Sequence, residues 1–300
     1  MIRAIAPAKI NLVFQVGQSH AGYHEVNSLY LGLDLFEEIT LTEAAEGTGL
    51  EILVSVENLP ERHLKAVPTD KTNLVYQVIV RMFEKFEIAL PDLVVSIHKR
   101  IPVAGGMAGG SADAAATMVA VNELLAKHYG IQKLSKTELL DLAKEFGSDV
   151  PFSLLGGLAI GKGRGEKLTQ LPALAFDCYF VLLVSPAGLS TANVFARFDQ
   201  LGITSNFKEL NASIDSVTEL ADFMENDLQQ AAISLQPGIG DSIARLESLG
   251  ALKAMVSGSG PTVLGLFQTK DQATAAIEQL SSEGLLTLLA KPSYLETRLL

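Results

Sequence analysis

Loose alternation of apolar and polar positions over residues 2–16, interrupted at Pro7, predicts a strand pair at the start of the chain. Within it, extended backbone would put Lys9 and Asn11 on one face and Ile10 and Leu12 on the other. Strand-like runs follow at Leu29–Leu35, Glu38–Leu41 and Leu50–Val56, after a turn at Gly22-Tyr23-His24. Residues 59–71, with Pro60 and Pro68, read as a polar connection. A helix is expected from about Thr72, where Val75, Ile79, Met82 and Phe86 form one stripe. The strand Leu93–His98 then leads into I-P-V-A-G-G-M-A-G-G-S-A-D-A-A-A at 101–116, where glycines give way to an alanine-rich helix capped by Ser111. That helix should bury Ala114, Met118, Val121 and Leu125. Ser135 and Glu138 form a capping box for a helix ending at Phe146-Gly147, and Asp149 stands at the next N-cap position with Pro151 in the first turn.

A fresh pattern begins around Pro172–Phe176, which divides the chain into domains 1–172 and 173–300. The second domain should hold strands at Tyr179–Ser185, Ala251–Val256, Val263–Phe267 and Leu285–Ala290. Its helices should cover Ala192–Leu201, 216–225, 227–235, 239–249 and a stretch capped by Thr269 with Gln272. Residues 203–216 read as loop, and Ser257–Thr262 as a second glycine turn.

Composition narrows the class. Over 300 residues, 48% are hydrophobic and 19% charged, a globular balance with enough chain for about two domains. No apolar run reaches membrane-spanning length and no secretory segment is visible, so a cytoplasmic protein is expected. A formal charge of −11 argues against a nucleic-acid partner, and obliges any anionic substrate to find a local basic pocket. Cys178 is the only cysteine and sits in an apolar run, so it reads as a core residue without a disulfide. The five histidines show no ligand spacing, and no structural metal is expected.

Candidate chemistry centres on the glycine stretch. A loop free to take positive φ, running into a helix N-terminus, gathers backbone N–H groups into an anion site whose usual guest is a phosphate chain. It is not a Walker A loop, because Ser111 and Ala112 stand where Lys and Ser/Thr are required, and it is not a dinucleotide fingerprint. A plain flexible turn is the competing reading, against which stand the basic Lys99 and Arg100 just before it. Elsewhere the residues alone leave alternatives open. Lys9 fits a solvated strand edge as well as a site, Asp149 a helix cap as well as a functional carboxylate, and Tyr23 and His24 a surface turn as well as a base-binding pair.

Three motifs, P-A-K-I-N-L at 7–12, I-P-V-A-G-G-M-A-G-G-S-A-D-A-A at 101–115 and G-S-G-P-T-V at 258–263, stand in one order along the chain. In this the sequence resembles the GHMP small-molecule kinases over nearly its whole length. The turn at Gly22-Tyr23-His24 and the segment Gly147–Phe152 are similar to those of the branch that acts on CDP-methylerythritol. The resemblance implies an α+β, two-domain GHMP kinase fold with the active site in the inter-domain cleft. It also implies an ATP-dependent phosphotransfer, with Mg²⁺, to the 2-hydroxyl of that acceptor, by a monomer or weak homodimer. Mevalonate or homoserine as acceptor, or nucleotide binding without chemistry, are the alternatives.

Carried over by position, Asp149 matches the catalytic acid residue and Lys9 the lysine beside it. The ATP phosphate loop matches Pro102, Val103, Ala104, Gly105, Gly106, Met107, Ala108, Gly109, Gly110, Ser111 and Ala112, with Asn73 and Lys99 matching positions near the nucleotide. On the acceptor side, Asn11 matches a residue supporting the catalytic pair, Tyr23 and His24 those that read the cytosine, and Thr191 one near the methylerythritol end. Met107-Ala108 stands where Leu-Gly is commoner and Ala112 where Ser is frequent; the β-carbon of Ala108 bears directly on the loop's dihedrals.

Overall fold

A computed structural model describes residues 1–20, 22–203, 205, 207–210 and 214–300. The chain opens with two long antiparallel strands, β1 (Ile2–His20) and β2 (Tyr23–Glu43), followed by β3 (Leu50–Val56). Pro7 does not interrupt β1. The pairing register with β2 shifts immediately after it, and again between Asn11 and Val13, so bulges absorb a residue that cannot donate to the ladder. For the same reason the separate runs expected at 29–35 and 38–41 are one strand, and Tyr23 and His24 already belong to it.

Helices α1 (Glu61–Lys65) and α2 (Leu74–Lys85) lead to β4 (Leu93–Lys99). Then come α3 (Gly109–Tyr129), α4 (Lys136–Ala143), α5 (Val150–Leu155), β5 (Leu158–Gly163) and β6 (Lys167–Leu171). Helix α3 starts earlier than expected. Ala108, in the left-handed region at φ 58°, turns the chain straight into the helix, so Gly109 and Gly110 occupy the first helical positions and Ser111 is not the cap. From Ala112 to Met118 every position of α3 is buried, so this helix has no polar face there, and its alanines let it lie close on β1 and β2.

The remaining chain forms β7 (Tyr179–Val184), α6 (Thr191–Leu201), α7 (Val217–Phe223), β8 (Glu225–Asn226), α8 (Gln229–Leu235) and α9 (Gly238–Ser248). It closes with β9 (Lys253–Val256), β10 (Val263–Phe267), α10 (Lys270–Ser282), β11 (Leu286–Ala290) and β12 (Arg298–Leu299). Of the loop expected at 203–216, residues 204, 206 and 211–213 lie outside the described residues.

The first sheet runs β12-β1-β2-β4-β3, with β5 and β6 continuing from β2 and β8 parallel to β1; the second runs β11-β7-β10-β9. Side chains of the second sheet alternate between two cores. Phe180, Leu182, Leu264 and Leu266 join the large core of the first sheet, whereas Val181, Leu183, Val263 and Phe267 pack under the C-terminal helices. The two-residue strands β8 and β12 are too short for any periodicity to announce, yet they stitch the second half of the chain back onto β1.

Candidate active site

Lys9 is not on a solvated edge. Paired with Gly32 of β2 and covered by the glycine loop, whose Met107 carbonyl accepts its N–H, it is 4% exposed, and its Nζ donates to Asn11 Oδ1 at 2.9 Å. The Asn11 amide is held by its other end, since Nδ2 donates to Ser28 Oγ at 2.7 Å and that hydroxyl donates to the Val13 carbonyl. Asn11 therefore has only an acceptor left for the ammonium. The same Nζ lies 3.4 Å from Asp149 Oδ2 and 5.3 Å from the centre of the buried Tyr30 ring. Burial, then the neighbouring Asp149 charge, pushes the Tyr30 phenol well above its ordinary value, so it stays neutral beside the pair.

Asp149 stands at the N-cap position of α5, but its side chain makes no capping bond. Its backbone is already helical, at φ −90° and ψ −16°, which turns the carboxylate away from the first-turn N–H groups. The expected cap is thus absent, and the carboxylate faces Lys9 with 30% of its side chain exposed.

The three motifs meet at this point. The Lys9 N–H donates to the Met107 carbonyl at 3.2 Å, and Ser257 Oγ donates to the Gly106 carbonyl at 3.1 Å. Gly106 has φ +75°, and a β-carbon there would collide with the Ser257 carbonyl; only glycine fits. Asn226, which the sequence did not single out, donates to the carbonyls of Val256 and Gly258 and locks the second glycine turn. Ala104 and Ala108 both hold left-handed backbone, a strain of about 1–2 kcal/mol each that the surrounding packing enforces. Beyond Ala108, the first N–H groups of α3 have no intrahelical partner, and exposed Gly110 leaves open space in front of them.

One cavity of about 990 Å³ joins this cluster to an aromatic end. Lys9, Gly106, Ala108, Asp149, Tyr23, His24, Tyr30 and Thr191 line it, together with Phe14, Arg164, Phe195, Asp199 and Ser259. At the aromatic end, Tyr23 is 61% exposed beneath the Arg164 guanidinium, 5.3 Å from its ring centre. His24 Nε2 lies 2.7 Å from Asp199 Oδ1, and its ring centre is 5.1 Å from that of Phe195. Thr191 Oγ1 is 2.8 Å from Ser259 Oγ, bridging α6 to the second glycine turn. Thr191, Phe195 and Asp199 recur four residues apart on α6, a spacing that could have drawn attention to the last two. Arg164, in a glycine-rich turn, carried no such signal.

Of the residues 102–112 expected at the ATP phosphates, only Gly106 and Ala108 line this cavity, and Asn11, Asn73 and Lys99 do not line it either. Asn11 is fully buried and serves Lys9. Asn73 caps α2, its Oδ1 accepting from the Val75 N–H while Nδ2 donates to the Pro68 carbonyl. Lys99 is 1% exposed, with Nζ 2.6 Å from both Glu37 Oε1 and Asp113 Oδ2. Two buried carboxyl groups share that cation, so the ammonium is held beneath the loop instead of at its surface. Burial, reinforced by Asp113, pushes Glu37 up to about 8, and Glu37 also accepts N–H bonds from Arg100 and Ile101. The triad thereby pins the chain entering the glycine loop to the helix leaving it. Among the described residues, no group of three His, Cys, Asp or Glu side chains could hold a metal ion.

Comparison with known proteins agrees with this geometry. Residues 73–157 match the GHMP kinases N terminal domain and residues 207–285 the GHMP kinases C terminal domain. A 4-diphosphocytidyl-2-C-methyl-D-erythritol kinase from Pseudarthrobacter chlorophenolicus is 40% identical, covering 96% of this chain and 91% of its own. One of the same name from Rhodococcus jostii is 40% identical over 93% and 88%. A crystal structure of 4-(cytidine 5'-diphospho)-2C-methyl-D-erythritol kinase superposes with a TM-score of 0.71 at 25% identity, over 97% of this chain and 99% of that one. Homoserine kinase from Cytophaga hutchinsonii superposes as well, with a TM-score of 0.72 over 100% and 97% of the chains, but at 19% identity, so it speaks for the fold alone. The chain belongs to the GHMP kinases and, within them, to the family of the 4-diphosphocytidyl-2-C-methyl-D-erythritol kinases.

Proposed function

We propose that the chain transfers the γ-phosphoryl group of MgATP to the 2-hydroxyl of 4-diphosphocytidyl-2-C-methyl-D-erythritol. The observation that carries this reading is one cavity with the buried Lys9 paired to the part-exposed Asp149 beside the glycine loop at one end and a ring cluster at the other. The relatives named above supply the acceptor's identity. The N–H groups opening α3 suit the triphosphate, because they present unpaired donors and the positive end of the helix dipole. Mg²⁺ enters as part of the substrate MgATP.

In the reaction, the acceptor oxygen bonds to the γ-phosphorus as the bond from that phosphorus to the ADP oxygen breaks, and the hydroxyl proton passes to Asp149. A loose transition state leaves the protein mainly positioning and charge stabilisation to supply. Lys9, oriented by Asn11, keeps positive charge beside both the carboxylate and the attacking oxygen. At the far end, Tyr23 and Phe195 offer ring faces to a cytosine, the His24–Asp199 pair offers hydrogen-bonding edges, and Arg164 offers a cation for the acceptor's diphosphate. The reading takes a monomer or weak homodimer as the working unit. Among the described residues no helix is long and apolar enough to cross a membrane, which is compatible with the cytoplasm.

An ADP-release assay with CDP-methylerythritol, mevalonate and homoserine tests the reading. CDP-methylerythritol should be preferred by at least about 100-fold in kcat/KM, since the cytidine supplies stacking that the others lack. Preference for either competitor would overturn the acceptor assignment, and ATP binding without ADP release on any acceptor would overturn the kinase reading.

A further inference from the structure

Lys9 and Lys99 are both buried lysines close to carboxyl groups, but they are seated differently. Lys99 Nζ lies 2.6 Å from two such groups, which together offset its charge. An ammonium has three N–H donors. That of Lys9 has one hydrogen bond, to Asn11, and one carboxylate, Asp149, at 3.4 Å, beyond the roughly 2.7–2.9 Å of a charge-assisted hydrogen bond. At 4% exposure such a cation needs a further source of stabilisation. The Tyr30 ring supplies one, its centre 5.3 Å from Nζ.

Strand register puts the ring there. Across β1 and β2, Asn11 pairs with Tyr30 and Lys9 with Gly32, so Tyr30 is the diagonal neighbour of Lys9 on the same face, and Gly32 adds no side chain beside them. The ring is held from other sides as well. Phe152 of α5 packs against it with 5.1 Å between ring centres. A β-carbon at Gly161 of β5 would collide with the ring edge, and one at Gly165 in the turn that follows would collide with the hydroxyl, so these two glycines make room for it. Tyr30 is thus 1% exposed, yet it lines the cavity next to Lys9 and Asp149. Its phenol is kept neutral by burial and then by the charge of Asp149, so it adds no charge of its own.

The difference between the two seats matters for phosphoryl transfer. A second carboxylate would draw Lys9 into an internal cluster, as Glu37 and Asp113 draw Lys99. A ring face attracts the ammonium without neutralising it. The positive charge is then fixed in place and still able to act on the oxygen that bonds to phosphorus.

We propose that Tyr30 is a positioning residue for phosphoryl transfer, its ring seating the Lys9 ammonium beside Asp149 while leaving that charge free to act on the acceptor oxygen. The proposal rests on the kinase reading above, but concerns how Lys9 is held and not which alcohol is phosphorylated. Tyr30 lies in a run that the sequence reads only as strand, and none of the three motifs includes it.

A graded series at position 30 tests it. Tyr30→Phe is compared with mono-, di- and trifluorophenylalanine at the same position, by ADP release from ATP and CDP-methylerythritol. Each fluorine withdraws electron density from the ring face while changing the ring's shape little, so the series weakens the attraction for a cation and leaves packing nearly constant. Tyr30→Phe keeps the ring face and should stay within about threefold of the parent in kcat. Along the series kcat should fall stepwise, to about tenfold below Tyr30→Phe at the trifluoro member, with both KM values within about twofold. Equal kcat across the series would overturn the proposal. So would a rise in acceptor KM at unchanged kcat, because the ring would then be only a wall of the binding site. A loss complete at the first fluorine would overturn it too, since that marks packing and not charge. If the trifluoro member does not fold, the mono- and difluoro members decide, and kcat equal to that of Tyr30→Phe in both overturns the proposal. Absence of ADP release from the unmutated chain with any acceptor would overturn both this role and the kinase reading, whereas the other negative outcomes leave the kinase reading intact.

Discussion

Replacing Asp149 by Asn changes one oxygen for an N–H₂ and almost no volume, so its consequences can be worked from the geometry. At 3.4 Å from Lys9 Nζ, a unit negative charge in an effective dielectric near 20 interacts by about 5 kcal/mol. The carboxylate is 30% exposed, and water and ions reach it, so we take roughly half of that, about 2.5 kcal/mol, as effective. That alone is close to two powers of ten in rate if the pair acts in the transition state. Losing the proton acceptor costs a further factor of about 10² to 10⁴. The two effects share one residue and do not add fully; the expected fall in kcat is about 10³-fold or more. The start of α3 and the Gly106 carbonyl do not depend on this carboxylate, so ATP affinity should stay within about twofold. A coupled ADP-release assay at saturating substrates measures the first quantity and calorimetry the second. An Asp149→Asn variant with kcat within about tenfold of the parent, or one that loses ATP affinity as steeply as it loses rate, would refute the reasoning.

Gly106→Ala should destabilise the chain by about 3 kcal/mol, the sum of a left-handed alanine and a clash with the Ser257 carbonyl. A urea midpoint equal to the parent's would contradict the close approach of the two glycine turns. Folded Glu37 keeps its proton to about pH 8, whereas the unfolded carboxyl releases it near 4.5. The folded state therefore binds the extra proton between those values, and stability should fall as pH rises across that window. In Glu37→Gln this slope should flatten, and parallel urea-midpoint profiles for variant and parent would count against the buried triad. Tyr23→Ala should raise the acceptor KM by about tenfold through lost stacking while leaving the ATP KM alone, and an unchanged acceptor KM would remove Tyr23 from the cytosine site.

The strands, helices and capping boxes were legible because each rests on neighbours within a few residues. Val75, Ile79 and Met82 form a buried stripe on α2, and Ser135 with Glu138 makes the reciprocal cap that its spacing predicts. The glycine loop was legible for a similar reason, since a run of glycines before a helix constrains only local backbone. Motif order supplied the family. Local pattern failed where burial decides. The sequence shows that a lysine stands at 9 and another at 99, but not that the first faces a cavity while the second is sealed between Glu37 and Asp113. Nor could it show that Asp149 leaves its helix uncapped, because that depends on the carboxylate finding Lys9 from a strand 140 positions earlier.

By itself, then, the sequence determined most of the element types, a glycine loop that runs into a helix, and membership of a kinase family. Those follow from short-range periodicity, turn chemistry and motif order. Only the tertiary structure decided which charged groups are free to meet a substrate. Desolvation and partner choice depend on what the rest of the chain packs around each group. Lys9 keeps one face on the cavity, Lys99 and Asn73 are consumed by internal partners, and Asn226, Arg164, Phe195 and Asp199 reach the cavity or its supporting turn from segments remote in sequence.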